Sequence, residues 1–203
     1  MSAGNSVLTF RMRTPLPARL VTAVLPALIG TVTWKWLAEA TGGDQPFGVH
    51  PLWIYLWHPP LMDFLFGILV LAGFIETRRR WWLCAASLGL LSIKVHSIAV
   101  ISVVNTQWLM APLIDVRFAG VLPVTMIATI ILTTSTVSIA RLAARRLLFY
   151  SCVAGLFAGL VFVFALQTDT TGSSWFWRNN IHWMLWHASI ATAIHVGGER
   201  RCA

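Results

Sequence analysis

The stretch RRLLFYSCVAGLFAGLVFVFALQ, residues 145–167, decides the fold class of the chain. After its opening arginines it contains no charged side chain. About 20 consecutive apolar residues in an α-helix cover the hydrocarbon thickness of a bilayer. Lipid offers no hydrogen bonds to the backbone, so a segment of this kind satisfies its own backbone groups as a helix. Residues 145–167 therefore predict a transmembrane helix.

Apolar runs of the same kind recur along all 203 residues. The chain is 57% hydrophobic and only 11% charged, with a mean hydropathy of +0.73. The predicted fold class is all-α, a polytopic integral membrane bundle of about six transmembrane helices. The whole chain, residues 1–203, is expected to be a single transmembrane domain. Its spans are predicted at approximately 17–39, 52–75, 81–104, 119–140, 145–167 and 175–197.

Arginine is distributed unequally between the two sets of connecting segments. The N-terminal segment, the second and fourth connections and the C-terminal tail contain Arg11, Arg13, Arg19, Arg78, Arg79, Arg80, Arg141, Arg145, Arg146, Arg200 and Arg201. The opposite loops contain Arg117 and Arg178. Because basic residues are retained on the cytoplasmic side, both termini are predicted to be cytoplasmic, in a bacterial inner membrane.

This topology also explains the formal net charge of +8. The arginines lie at the predicted membrane boundary instead of forming one basic face, so the charge gives no reason to expect a nucleic-acid partner. The expected partners are the lipid bilayer and other membrane subunits.

Two charged side chains fall at bilayer depth, where an ionisable group requires a partner. Asp63 in span 2 and Lys94 in span 3 each lie roughly 20 Å along the helix from the turn that joins these spans. Because the spans are antiparallel neighbours, the matched depths predict an Asp63–Lys94 ion pair. A structural charge pair and a proton relay both fit this pattern.

Histidines also recur at one depth in different spans. His58, His96 and His182 are each expected about 10 Å below the outer surface, as a metal site or an axially ligated haem requires. His182 and His187 are five residues apart and diverge by about 140° on a helix, so they cannot chelate one ion together. The predicted metal ligands are His58, His96 and His182, and the predicted cofactor-binding residues are His96, His182 and His187. Each histidine is also explained by packing alone.

Two short stretches resemble ceramidase-like zinc hydrolases of the membrane. They are SIKVH, residues 92–96, and HWMLWH, residues 182–187, which resemble that family's Ser-x3-His pattern and its terminal-helix histidines. The resemblance implies a histidine-bound zinc ion that activates water. The chain departs from the family in its H-x4-H spacing and in its predicted number of spans.

Three functions are therefore expected from the sequence. The first is a subunit of a membrane redox assembly that binds a haem, a pigment or a transition metal. The second is a small proton- or ion-coupled transporter that uses Asp63 and Lys94. The third is a zinc-dependent intramembrane hydrolase or lipid-modifying enzyme. A purely structural subunit is the remaining alternative.

Overall fold

The described residues are helical apart from one short strand pair and a few turn residues. The computed structural model describes residues 15–40, 61–75, 81–110, 116–140, 142–143, 146–167 and 173–200. Within these ranges the helices are α1 Leu16–Ala40, α2 Leu61–Phe74, α3 Trp81–Met110, α4 Val116–Ile139, α5 Leu147–Gln167 and α6 Ser173–Gly197. The predicted all-α class is confirmed.

Each helix overlaps one predicted span. Three of the described helices are long and apolar enough to cross a membrane, over Trp81–Ala99, Gly120–Ile139 and Leu147–Phe164. Helix α3 continues to Met110, beyond the expected end at residue 104. No proline or glycine follows until Pro112, so nothing interrupts the helical backbone earlier.

Helix α2 changes its winding partway. Its first residues are α-helical, Gly67–Leu71 is π-helical and Ala72–Phe74 is a 3-10 turn. Single π-helical turns inside a helix shift the direction of the side chains that precede and follow them, and they often occur at functional sites. The π-helical segment begins four residues after Asp63.

Many large apolar side chains of the described helices are exposed, and a set of polar side chains is buried within the apolar core. Large apolar residues on every described helix are exposed, among them Val21, Leu69, Leu90, Ile127, Phe157 and Ile181. Fully or almost fully buried polar residues are Asp63, Ser92, His96, Thr125, Thr129, Thr133, Thr136, Ser151, His182 and His187. An apolar exterior around a polar interior suits a lipid environment, because water is not needed to solvate the surface.

The helices form a closed ring. Helix α1 packs against α6 and α2, α3 packs between α2 and α4, and α5 packs between α4 and α6. Because α2, α3 and α6 all border the same interior, side chains from these three helices can meet there.

Two contacts bring the ends of neighbouring elements together. The Arg19 guanidinium, near the start of α1, lies 4.0 Å from the ring centroid of Phe74 at the end of α2. Strand β1, Leu142–Ala143, follows α4 and pairs antiparallel with strand β2, Glu199–Arg200, which follows α6. The start of α1 thus lies beside the end of α2, and the α4–α5 connection lies beside the tail.

Helices α4 and α5 approach closely at small residues. A Cβ atom added at Gly155 would lie 2.5 Å from the Met126 Cα atom. The Thr125 hydroxyl donates a hydrogen bond across the same interface to the Gly155 carbonyl, at 3.0 Å. Small residues and hydroxyls of this kind hold helices together in lipid, where apolar burial gives no driving force.

Gly155→Ala is therefore expected to lower stability by about 1–3 kcal/mol, because the added methyl group overlaps the α4 backbone. The thermal midpoint of the detergent-purified protein measures the loss. Gly73→Ala is the matched control, since a Cβ atom there has no neighbour within 4 Å. Equal midpoints for the two variants would contradict the close α4–α5 contact.

Candidate metal centre

Two glycines let α2 and α3 approach within backbone contact. A Cβ atom at Gly67 would collide with the backbone of Gly89, and one at Gly89 would collide with the Phe64 ring. Asp63 lies one helical turn before Gly67, so the close approach directs its carboxylate toward α3. The backbone packing of these helices thus explains how a short aspartate side chain reaches the bundle interior.

The Asp63 carboxylate contacts His96 of α3. Its Oδ1 atom lies 3.2 Å from His96 Nδ1, and both side chains are completely buried. His96 Nδ1 also lies 2.9 Å from the Ser92 carbonyl oxygen, which can only accept a hydrogen bond. A proton on Nδ1 satisfies that carbonyl and leaves a lone pair on Nε2. That nitrogen has no hydrogen-bond partner.

His187 of α6 completes the group. Its ring centroid lies 5.7 Å from that of His96, and its face stacks on Phe66 of α2 at 4.0 Å with an interplanar angle of 12°. Neither of its ring nitrogens has a hydrogen-bond partner. One donor atom each from Asp63, His96 and His187 lies within 4.8 Å of the others.

This donor set fits a divalent metal ion. Buried polar atoms in proteins almost always have hydrogen-bond partners. Here both Asp63 oxygens, His96 Nε2 and both His187 nitrogens lack one. Two imidazoles and one carboxylate are the ligands of catalytic zinc in several hydrolases and of non-haem iron. A backbone carbonyl on the far nitrogen of His96 is also the usual support for a metal-binding histidine.

Aromatic rings surround the donors and favour a compact ion over a haem. Trp183 and Trp186 pack edge-on to His96, with ring centroids at 5.3 and 4.7 Å. With Phe66 stacked on His187, aromatic carbon occupies the sides of both imidazoles. A porphyrin between the two histidines would have to displace these rings and the Asp63 carboxylate.

The expected Asp63–Lys94 ion pair is not formed. Asp63 is buried against His96, whereas Lys94 is exposed on the outer face of α3. Residues 94 and 96 point about 200° apart on a helix, so only one of them can face α2. The interior position belongs to His96, and Lys94 is exposed.

The structure brings two of the predicted histidine ligands into the donor group and leaves a third outside it. His96 and His187 meet, as the cofactor prediction allowed. His182 is buried elsewhere on α6, with its ring stacked on Phe162 of α5 at 4.3 Å, and it does not belong to the donor group. Its ring also contacts Trp186, with centroids 5.7 Å apart, so it lies next to the donor group without being part of it. His58 lies outside the described residues.

Sequence reasoning missed the part that α4 plays in this site. Trp186 donates a hydrogen bond from Nε1 to the Thr129 hydroxyl of α4 at 2.8 Å. Threonines at 125, 129 and 133 recur every four residues, which places them on one helix face. That spacing is visible in the sequence and could have indicated a polar interior face.

The chemistry of these residues is the basis for assigning a function. No protein-family model, no curated protein and no solved structure matches the chain. The convergence of Asp63, His96 and His187 therefore carries the functional proposal on its own.

Lys94→Leu is expected to leave the thermal midpoint in detergent nearly unchanged, because Lys94 is exposed and does not neutralise Asp63. Breaking a genuine buried ion pair would instead cost about 3–5 kcal/mol. The double variant Asp63→Leu/Lys94→Leu should match Asp63→Leu alone. A double variant more stable than either single variant would instead support an Asp63–Lys94 ion pair.

Proposed function

We propose that the protein is a zinc-dependent hydrolase acting inside the bilayer, with the metal held by Asp63, His96 and His187. The observation that carries this proposal is the buried convergence of these three donors from α2, α3 and α6. Three protein ligands leave one position of a tetrahedral zinc ion for water, as in catalytic zinc sites. Zinc bound there supplies a Lewis acid and makes water nucleophilic near neutral pH.

The two other expected functions have less support. A haem- or pigment-binding redox subunit requires space for a macrocycle between histidines that are enclosed by Phe66, Trp183 and Trp186. An ion-coupled transporter built on Asp63 and Lys94 requires the pair that the structure does not form. A zinc-dependent hydrolase requires only the three donors that the structure brings together, Asp63, His96 and His187.

The charge around the donors favours an uncharged substrate. The described side chains that contact His96 and His187 are Asp63, Ser92, Phe66, Trp183 and Trp186. This set contains no guanidinium or ammonium group to neutralise a phosphate. A carboxylic ester or amide of an apolar chain fits better. In the reaction, the water oxygen adds to the carbonyl carbon and the C–O or C–N bond breaks. One proton of the water goes to the leaving alcohol or amine, and the other stays on the carboxylic acid that is formed.

Each residue around the donor group would have a separate role in this reaction. Asp63 supplies negative charge that balances the metal ion in a dry site. The Ser92 carbonyl holds the His96 ring through Nδ1 and leaves Nε2 without a protein partner. Phe66 fixes the plane of His187 by stacking. The aromatic rings exclude bulk water and give apolar surface to an acyl chain.

The proposed location is a bacterial inner membrane, with both termini in the cytoplasm. The arginine-rich connections support this orientation, because such segments are retained on the cytoplasmic side. The contacts of Arg19 with Phe74 and of β1 with β2 support the grouping of these segments at one end. The bilayer is then the source of the substrate, and other membrane subunits are possible partners.

Metal analysis of the purified protein tests the proposal. We expect one zinc per chain in the wild type, and less than a tenth of that in Asp63→Ala, His96→Ala and His187→Ala, since each variant removes one of three ligands. His195→Ala is the control: it removes a histidine from the last turn of the same helix and should retain zinc. Hydrolysis of fluorogenic long-chain esters and amides should fall in parallel with the zinc content.

Two results would contradict the hydrolase. One is a visible absorption band with stoichiometric iron that His96→Ala abolishes, which would indicate a haem. The other is zinc that the His187→Ala and His195→Ala variants retain equally, which would place the metal elsewhere.

A further inference from the structure

Among the described aromatic residues, Trp186 has the ring closest to the His96 imidazole. Its ring centroid lies 4.7 Å from that of His96, at an interplanar angle of 82°. It directly precedes His187 in α6 and is almost completely buried. Trp186 therefore contacts one donor residue and is covalently joined to the next.

Two interactions fix the orientation of the Trp186 ring. Its Nε1 atom donates to the Thr129 hydroxyl at 2.8 Å, and its face stacks on Trp183 at 5.3 Å with an angle of 27°. An indole has two side-chain torsions, so a hydrogen bond at its edge and a stack on its face leave little freedom. The ring against His96 is thus held from α4 as well as from α6.

The Thr129 hydroxyl is used differently from its neighbours. Thr125, Thr133 and Thr136 each donate to the carbonyl one turn earlier in α4, and the Thr125 and Thr133 hydroxyls also bond to α5. The Thr129 hydroxyl instead accepts a hydrogen bond from Trp186 of α6, the residue that precedes the donor His187. A threonine that merely satisfied itself within its helix would not connect α4 to the donor group.

We propose that the Thr129–Trp186 hydrogen bond orients the His96 imidazole for metal binding, which makes Trp186 a positioning residue and Thr129 its anchor. This inference rests on the proposed metal function. The Ser92 carbonyl fixes one edge of the His96 ring, and Trp186 limits its rotation from another side. Support of this kind behind a ligand typically changes metal affinity by about 10–100-fold.

Thr129→Val tests the inference, because valine keeps the shape of threonine and removes the hydroxyl. We expect the zinc Kd, measured by competition with a chelator in nanodiscs, to rise about 10-fold. The visible spectrum of the cobalt-substituted protein should also change. Thr129→Ser, which keeps the hydroxyl, should restore both. In a Trp186→Phe background, which lacks the indole N–H, Thr129→Val should have no further effect.

Thr133→Val is the matched control. Thr133 is also fully buried, one turn further along α4, and its hydroxyl bonds to Ser151 of α5 at 2.7 Å. The control should lower stability as Thr129→Val does and leave the zinc Kd unchanged. An equal rise in Kd for both variants, or no rise for Thr129→Val, would overturn the positioning role.

A measurement without metal separates this inference from the proposed function. In protein with ¹⁵N-labelled imidazoles, the His96 signals are assigned by their loss in His96→Gln. They should shift in Thr129→Val and not in Thr133→Val. A wild type that binds no zinc would contradict the proposed function, while the NMR shift would still support or refute the orientation of His96 by Thr129 and Trp186.

Discussion

The buried contact between Asp63 and His96 is the interaction on which the rest of the structure depends. A carboxylate in an apolar bundle is costly, so it must have a partner or bind an ion. Asp63 reaches His96 at 3.2 Å because α2 and α3 meet at Gly67 and Gly89. The third donor, His187, then comes from α6 across the same interior. The ring of helices is closed around this polar centre.

The polarity of the bundle follows from the same constraint. Exposed positions carry large apolar side chains, and the mainly apolar interior contains histidine, aspartate, serine and threonine. Hydroxyl bonds such as Thr133 to Ser151 at 2.7 Å hold α4 against α5 where no water competes. The donor group is therefore enclosed by helices that are joined by hydrogen bonds and small residues. A preorganised metal site needs such a rigid surround.

The sequence predicted the helices and half of the site. Apolar runs set the helix positions. The depth of His96 was matched to that of His182, with His182 or His187 expected to meet it, and the donor group contains His187. The predicted depth gives the position of a residue along its helix. It does not give the direction in which the side chain points, which depends on the helices packed around it. Lys94 and Asp63 share a depth, but His96, two residues further on, takes the interior side. The role of Thr129 could not be predicted, because it depends on the contact between α4 and α6, and no local sequence pattern shows which helices are neighbours.

X-ray absorption at the zinc edge of the reconstituted protein tests the central claim most directly, because it reports the atoms bound to the metal. The account predicts a first shell of nitrogen and oxygen donors at about 2.0–2.1 Å, with outer-shell scattering from two imidazoles. His182→Ala should leave this spectrum unchanged, because His182 lies outside the donor group. A sulfur ligand at about 2.3 Å, or the loss of one imidazole's scattering in His182→Ala, would contradict the Asp63–His96–His187 centre.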